Sequence, residues 1–237
     1  MAARGHRGLP PGVEPKTGAP SPVNASRTLF LIRHGRSDQS SNDLLDTTRG
    51  AQWDPPLDDV GREQAELLAR RLVLMERPAA VYSSPLRRAR ETIEPFADTA
   101  GIEVTFEDEL IEAHIGRWEN VSFEDILASD PELLGLVRSQ RAIWHRAPGG
   151  EAVEAFRKRV HDTIESILER HAVGDVFVVA HGGVINAYLG PLLLVENEMF
   201  FLPENSSLNS VEVEGSERRV RFLNDVLHLS DPQLFEP

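Results

Sequence analysis

The sequence has no cysteine among its 237 residues. This absence excludes disulfide bonds, thiolate zinc sites, iron–sulfur clusters and a cysteine nucleophile. No apolar run reaches the roughly 18 residues of a membrane-spanning helix. No apolar stretch of roughly 7–15 residues follows the basic start, as it does in a secretory signal. We therefore expect a cytoplasmic protein that does not associate with a membrane.

Positive charge is scarce relative to negative charge. Lys and Arg together number 25 against 38 Asp and Glu, and the net charge is −13 with neutral histidines. An acidic surface repels the backbone of nucleic acids and anionic lipid head groups, so neither is an expected partner. Any anionic ligand must bind in a local pocket whose charge opposes that of the whole protein.

Apolar material is lacking at the amino-terminal end. Residues 1–26 are rich in glycine and proline and contain little that could form a core. Such a composition is typical of a disordered segment. We predict a disordered leader over residues 1–26 and a single domain over residues 27–237.

From residue 28 onward, short apolar runs alternate with longer helical patterns. The runs are rich in β-branched or aromatic residues and lack polar alternation, as strands covered on both faces do; they lie at 28–32, 79–82 and 176–180. Apolar residues recur at helical steps over 61–75, 86–97 and 153–171. Together they predict an α/β fold: a three-layer sandwich with a mainly parallel central sheet flanked by helices.

Two further segments fall outside this alternation. Residues 207–213 and 219–224, joined across Gly215, predict a late hairpin. Residues 123–145 have a helical pattern that breaks at Pro131, and we predict a helical lid around residues 120–150.

Polar residues that can bind an anion follow the predicted strands. The first strand ends in RHG at 33–35, the last ends in HGG at 181–183, and two arginines at 87–88 open the helix after the middle strand. Ligands of open α/β sheets lie beyond the carboxyl ends of the strands. The backbone N–H groups of Gly182 and Gly183, at the start of a helix, suit an anion. The sequence therefore predicts an anion site at this edge.

Five separated blocks carry a resemblance to a known family. They are LIRHGRS at 31–37, PLDDVGREQA at 56–65, SSPLRRARET at 83–92, EAHIGRWEN at 112–120 and VVAHGGVI at 178–185. In their order and approximate spacing, these blocks resemble the histidine phosphatase superfamily, also called the phosphoglycerate mutase-like family. The resemblance implies a phosphoglycerate mutase-like fold and a small phosphorylated substrate, with no cofactor. Because dimers are frequent in the family, it also suggests a homodimer.

The resemblance assigns roles to five residues. It makes His34 the nucleophile that becomes a phosphohistidine, and Arg33, Arg88 and His181 the groups that hold the phosphoryl oxygens. It makes Glu112 the proton donor to the leaving group. Elementary chemistry agrees, because an imidazole attacks phosphorus only as the free base and neighbouring guanidinium groups disfavour its protonation. The same guanidinium groups stabilise the charge of the transferring phosphoryl group.

Two assignments concern residues at the edge of the blocks. Many family members carry an asparagine that contacts the phosphate shortly after the first block; here the position falls at Gln39-Ser40. We expect the hydroxyl of Ser40 to substitute. His114, two residues after Glu112, is either a pocket residue or a structural one that caps a turn.

Three other interpretations of these residues stay open at the level of sequence. His34, His181, His114 and Glu112 could in principle form a metal site, but adjacent arginines would repel a metal ion, and no metal is expected. A mutase on the same scaffold would need more basic residues and a longer closing segment than the chain between Glu112 and His181 offers. A non-catalytic binder of phosphorylated ligands would have lost the nucleophile or the acid, and both are present. The sequence thus favours a metal-independent phosphomonoester hydrolase.

Overall fold

The computed structural model describes residues 27–236. The predicted leader over 1–26 lies outside the described residues, and the division into leader and domain stays a prediction. The described strands are β1 Arg27–Arg33, β2 Leu44–Thr47, β3 Gly50–Trp53, β4 Ala80–Ser83, β5 Val104–Phe106, β6 Val176–Ala180, β7 Leu208–Glu214 and β8 Glu217–Asp225. The described α-helices are α1 Asp59–Val73, α2 Arg87–Ala100, α3 Phe123–Ser129, α4 Pro131–Arg138, α5 Val153–Arg170, α6 Gly182–Leu192 and α7 Leu227–Ser230.

A six-stranded mixed sheet with the order β5-β4-β6-β1-β7-β8 forms the centre of the fold. β5, β4, β6 and β1 are mutually parallel, whereas β7 and β8 run antiparallel to their neighbours. All five residues of β6 are buried. This burial explains why its sequence is apolar without alternation.

Helices cover both faces of this sheet. On one face α5 and α6 pack over residues such as Leu31 and Val178, and on the other α1 and α2 pack over residues such as Ile32 and Val179. Successive strand residues point to opposite faces, so each strand contributes to both cores. The three-layer α/β fold expected from the sequence is confirmed.

The helices begin and end where local chemistry favours it. Asp58 caps α1, its carboxylate accepting the N–H of Gly61 at 2.8 Å. Gly101 ends α2 in the left-handed conformation, with φ of 57°. Pro131 stands at the first position of α4, after Asp130, which caps that helix. The break expected at Pro131 is thus the boundary between α3 and α4.

Three strands were not expected from the sequence. β2 and β3 form a separate two-stranded hairpin, and β5 is an edge strand of only three residues. None has an apolar run or a clear alternation, because most of their side chains are half-buried or exposed. Within residues 27–236, no helix combines the length and the apolar character needed to cross a membrane.

Candidate active site

The carboxyl ends of β1 and β6 bring His34 and His181 together. The two strands pair in parallel with Arg33 opposite Ala180, so the residues that follow leave the sheet at the same level. The N–H of His34 donates to the carbonyl of Ala180 at 3.0 Å, and the two imidazole centroids lie 5.1 Å apart. The register of the parallel pair therefore sets the distance between the two buried rings.

The imidazole of His34 is held as a free base in one tautomer. Its Nδ1 lies 2.7 Å from the carbonyl oxygen of Gly35. Because a carbonyl can only accept, Nδ1 carries the proton and Nε2 has the lone pair. Burial, and then the positive charges of Arg88 and Arg33, hold the pKa of His34 well below its usual value, although the bond to Gly35 opposes this. Nε2 is therefore available as a nucleophile at neutral pH.

His181 is a second neutral imidazole. Its Nε2 lies 2.8 Å from Oγ of Ser84, and that oxygen also accepts the N–H of Leu86 at 3.3 Å. When the hydroxyl of Ser84 donates to Nε2, the ring proton lies on Nδ1. Nδ1 is buried and has no partner among the described residues. Burial, followed by the charge of Arg88, holds the pKa of His181 well below its usual value.

Two guanidinium groups stand beside the histidines. Arg88, on the first turn of α2, is buried, and its Nη1 donates to the carbonyl of Trp53 at 3.0 Å. Arg33 donates to the carbonyl of Pro203, while its Nε is buried without a partner among the described residues. Burial lowers the pKa of both arginines, yet an arginine keeps its charge at neutral pH. Two charged guanidinium groups thus lie at this edge of an acidic protein.

Hydrogen bonds from three segments hold the turn after β1. The N–H of Gly35 donates to Oγ1 of Thr92 at 2.8 Å, and that hydroxyl donates to the carbonyl of Arg88 at 2.6 Å. The carbonyl of His34 accepts Nδ2 of Asn205 at 2.9 Å. The nucleophile candidate is therefore tied to α2 and to the segment before β7.

The carboxylate of Glu112 reaches the same edge. Its Oε2 accepts the N–H of Gly183 at 2.8 Å, and its Oε1 accepts the N–H of Ala113 at 2.9 Å. Its backbone carbonyl accepts Nε2 of Gln52 at 2.9 Å. The carboxylate is thus held at the first turn of α6, two residues from His181.

Gly183 leaves room for that carboxylate. A Cβ at this position would overlap Oε1 of Glu112 and lie 3.0 Å from its Cδ, whereas a Cβ on Gly182 would meet no atom closer than 3.9 Å. We expect Gly183→Ala to displace the carboxylate and to lower kcat/KM on the order of 100-fold, with a much smaller loss for Gly182→Ala. Steady-state assays of both variants measure this difference. Equal losses of kcat/KM in the two variants would show that activity does not depend on the short distance between Gly183 and the carboxylate of Glu112.

Arg159 on α5 supports the backbone that carries Glu112. Its Nη1 donates to the carbonyls of Glu109 at 2.6 Å and Ile111 at 2.8 Å, and its Nη2 donates to the carbonyl of Glu112 at 3.2 Å. Its guanidinium also forms a forked pair with Glu151, at 2.7 and 2.9 Å. The side chains of this ion pair are only 9% and 10% exposed. Arg159 therefore connects α5 to the segment of the candidate acid.

Removing this guanidinium is expected to destabilise the fold. We expect Arg159→Met to lower the free energy of unfolding by about 3 kcal/mol, because it removes the forked partner of the largely buried Glu151 carboxylate. The remaining ion-pair partner of Glu151 is Arg49, whose Nε lies 3.9 Å from Oε1. The adjacent Lys158 pairs with Asp162 on the exposed face of α5, and Lys158→Met is expected to cost less than about 0.5 kcal/mol. Urea unfolding of the two variants measures the contrast, and equal values would refute the supporting role.

A cavity of about 300 Å³ opens at this edge. Its lining includes four of the predicted site residues: Arg33, His34, Arg88 and Glu112. His181 is not part of the lining, but its ring is in contact with that of His34. The structure thus places together the two histidines, two arginines and one carboxylate that the sequence predicts to meet.

The structure places Ser40 and His114 elsewhere, which corrects their expected substrate contacts. The exposed Ser40 donates its hydroxyl to Oδ1 of Asp38 at 2.6 Å, because the two residues share a tight turn. Nδ1 of His114 accepts the N–H of Gly116 at 3.1 Å, and Nε2 lies 3.3 Å from the carbonyl of Ala51. His114 therefore links β3 to its own loop, as in the structural interpretation.

The two glycines differ in what they can offer a ligand. The N–H of Gly183 is bound to Glu112, so it is not the free phosphate donor that the sequence suggests. Gly182 lies beside Arg33, whose Nε would be 3.9 Å from a Cβ placed there. The backbone of Gly182, beside Arg33, is therefore the part of this glycine pair that can still approach an anion.

Four polar lining residues were missed by the sequence interpretation: Ser37, Gln39, Gln52 and Glu119. Gln39 and Gln52 belong to residues 38–55, the segment that includes the unexpected hairpin, whose sequence has no helical or strand pattern. Trp53, in the same segment, also lines the cavity. Glu119 lies inside the fourth block, and that membership is the only signal that could have identified it. Among the described residues, no group of three or more acidic or histidine side chains is arranged to hold a metal ion.

A comparison with known proteins matches this chain to a family. A family model described as histidine phosphatase superfamily (branch 1) matches residues 29–226. The chain is 30% identical over 203 residues to the metal-independent phosphoserine phosphatase of Arabidopsis thaliana, covering 85% of this chain and 83% of that one.

Solved structures of similar proteins have the same fold. A mycobacterial glucosyl-3-phosphoglycerate phosphatase matches with a TM-score of 0.68 and 26% identity, covering 84% of this chain and 99% of that one. The alpha-ribazole phosphatase from Shigella flexneri matches with a TM-score of 0.68 and 25% identity, covering 84% and 96%. The three proteins are phosphatases with different named substrates, so similarity alone leaves the substrate of this chain open.

Proposed function

Because the chain belongs to the histidine phosphatase superfamily, branch 1, and hydrolyses phosphomonoesters, we propose that it does so through a phosphohistidine on Nε2 of His34 without a metal ion. One observation carries the proposal. Next to the free Nε2 of His34, two buried donors lack an acceptor among the described residues: Nε of Arg33 and Nδ1 of His181. Buried donors without partners are costly, and a phosphoryl group supplies the missing acceptors.

The first half-reaction transfers the phosphoryl group to the protein. Nε2 of His34 attacks phosphorus while Arg33, Arg88 and His181 hold the non-bridging oxygens, so the charge of the transition state meets fixed cations and N–H groups. The bond from phosphorus to the leaving oxygen breaks, and protonated Glu112 gives its proton to that oxygen. The products are a free alcohol, a phosphohistidine and the carboxylate of Glu112.

The second half-reaction releases phosphate. The carboxylate of Glu112 takes a proton from a water molecule, and the water oxygen attacks the phosphorus of the phosphohistidine. The phosphorus–nitrogen bond breaks, and its electron pair returns to Nε2 of His34. The bond of Nδ1 to the Gly35 carbonyl persists through both steps and keeps the ring oriented.

The substrate is proposed to be a small phosphorylated molecule, since the cavity at His34 is about 300 Å³ in volume. The retained nucleophile and acid favour catalysis over mere binding of a phosphorylated ligand. A cytoplasmic location and a homodimer stay predictions of the sequence.

Trapping the covalent intermediate tests this mechanism. The protein is assayed in EDTA against sugar phosphates, phosphoglycerates, nucleotides and phosphopeptides, and a turning-over sample is quenched in alkali for peptide mass spectrometry. We expect activity to persist in EDTA and the peptide that contains His34 to gain one phosphoryl group. Loss of activity in EDTA, or phosphorylation at another residue, would overturn the proposal.

A further inference from the structure

A second, larger cavity of about 550 Å³ lies beside the cavity at His34. The two share Gln39, Trp53 and Ile115 in their walls. Because the phosphate of a substrate must lie against His34 and the two arginines, its organic part extends along these shared walls. We call the larger space the leaving-group cavity.

One side of the leaving-group cavity is apolar. Besides Trp53 and Ile115, it is lined by Val121, Phe123 and Ile126. Val121 and Phe123 are exposed, at 41% and 55%, in this ligand-free chain. An apolar group that covers them would release ordered water and bind favourably.

A carboxylate, and no cation, lines the leaving-group cavity. Among the described residues, no Lys or Arg lines it, whereas Asp125 does. Glu119 lines the neighbouring cavity at His34, and its two oxygens accept the N–H groups of Trp53 at 2.8 Å and Ile115 at 3.0 Å, two residues that line both cavities. The hydroxyl of Ser122 binds Asp125 at 2.7 Å. Both carboxylates are therefore held in place.

Two arginines of the neighbouring segments are engaged with acids outside the leaving-group cavity. Arg87 forms ion pairs with Glu91 at 2.6 Å and with Asp43 at 3.5 Å. Arg49, in the turn between β2 and β3, pairs with Glu109. The exposed Arg117 lies between Ile115 and Glu119 in the chain but lines neither cavity. Among the described residues, the arginines that line the two cavities are therefore Arg33 and Arg88, at the phosphate end.

From this division of charge we propose that the protein selects phosphomonoesters whose organic part is uncharged and partly apolar, and discriminates against substrates with a second anionic group. The inference rests on the proposed phosphatase mechanism at His34 and specifies its substrate class. A carboxylate on the substrate would meet Asp125 in a cavity whose lining has no cation among the described residues, and like charges brought together in an interface are unfavourable. Phosphoserine and phosphoglycerate, which carry a carboxylate, are expected to be poor substrates.

Matched substrate pairs test this selection. Glycerol 3-phosphate and 3-phosphoglycerate differ only by a hydroxymethyl group in place of a carboxylate, and benzyl phosphate and 4-carboxybenzyl phosphate differ only by the added carboxylate. We expect the anionic member of each pair to have a kcat/KM at least about tenfold lower. Benzyl phosphate is expected to exceed glycerol 3-phosphate because it covers the apolar wall.

A charge reversal at Asp125 tests whether this residue causes the discrimination against anionic substrates. Asp125→Lys is expected to raise the ratio of anionic to neutral kcat/KM by about tenfold. Glu124→Lys makes the same change of charge on the neighbouring exposed residue of α3, which does not line the cavity, and is expected to change the ratio less than about twofold. Val121→Lys adds a cation to the opposite part of the lining if circular dichroism shows that Asp125→Lys is unfolded.

The outcomes distinguish a failure of the proposed substrate selection from a failure of the proposed phosphatase mechanism. Equal or higher kcat/KM for the anionic members, or equal effects of the Asp125 and Glu124 changes, would overturn the selection while leaving phosphatase activity intact. If no member of either pair is hydrolysed by the native protein and His34→Ala behaves identically, the proposed mechanism itself fails.

Discussion

Replacing His34 with alanine is expected to lower kcat/KM by at least about 10⁴-fold, as removal of a nucleophile does in other covalent enzymes. The change removes the imidazole whose ring is oriented by the bond of Nδ1 to Gly35 and whose Nε2 carries the lone pair. Neither Arg33 nor Arg88 can replace it, because an arginine is not deprotonated at neutral pH. The residual rate is expected to show no phosphorylated intermediate. Steady-state kinetics and the alkaline quench measure both effects on the same sample.

A matched variant separates this loss from a general disturbance of the protein. His145 is exposed and lies outside the cavity, and His145→Ala is expected to keep kcat/KM within about twofold of the native value, as for surface changes away from a site. A comparable fall in the two variants, or a phosphoenzyme formed by His34→Ala, would contradict the assignment of the nucleophile.

Replacing Glu112 with glutamine is expected to lower kcat for alkyl phosphates by roughly 10³-fold, within the range of general acid–base catalysis. An alkoxide leaves only with a proton, and the amide cannot supply one. An aryl phosphate with an acidic leaving group needs little protonation in the first step. The loss in the rate of phosphoenzyme formation is therefore expected to be much smaller for 4-nitrophenyl phosphate than for benzyl phosphate. Rapid-quench kinetics with the two substrates measure this rate.

The dependence on the leaving group serves as the control for Glu112→Gln. The glutamine amide cannot accept both N–H groups that the carboxylate binds, those of Ala113 and Gly183, so some loss of stability is expected, on the order of 1 kcal/mol. A structural loss alone would slow both substrates equally. An equal fall for the two would therefore assign Glu112 to structure and not to proton transfer.

The apolar strands and the histidines that follow them were predictable because both are local properties of the sequence. Buried parallel strands must be apolar on both faces, and this pattern identified β1, β4 and β6. Once those strands were placed, the rule for the carboxyl edge of a parallel sheet predicted that His34 and His181 would meet. Their observed centroid distance of 5.1 Å follows from the register of β1 and β6.

The surroundings of the site were not predictable in the same way. The β2–β3 hairpin has no apolar pattern, so nothing indicated that Gln52 would bind the carbonyl of Glu112. Glu151 and Arg159 are eight residues apart, too far for a local pairing rule to connect them. Ser40 was expected at the phosphate from its place in the chain, but its hydroxyl binds Asp38 within the same turn.

The sequence by itself determined the class of fold, the edge at which the chemistry gathers and the meeting of imidazole and guanidinium groups there, because these depend on strand burial, strand direction and residue type. The carboxylate of Glu112 followed from the resemblance to the family. Only the tertiary structure decided which carbonyl orients the ring of His34, which glycine N–H the carboxylate of Glu112 binds, and which side chains line the cavities beside His34. Those properties depend on contacts of a few ångströms between segments tens of residues apart, and no local pattern in the chain encodes them.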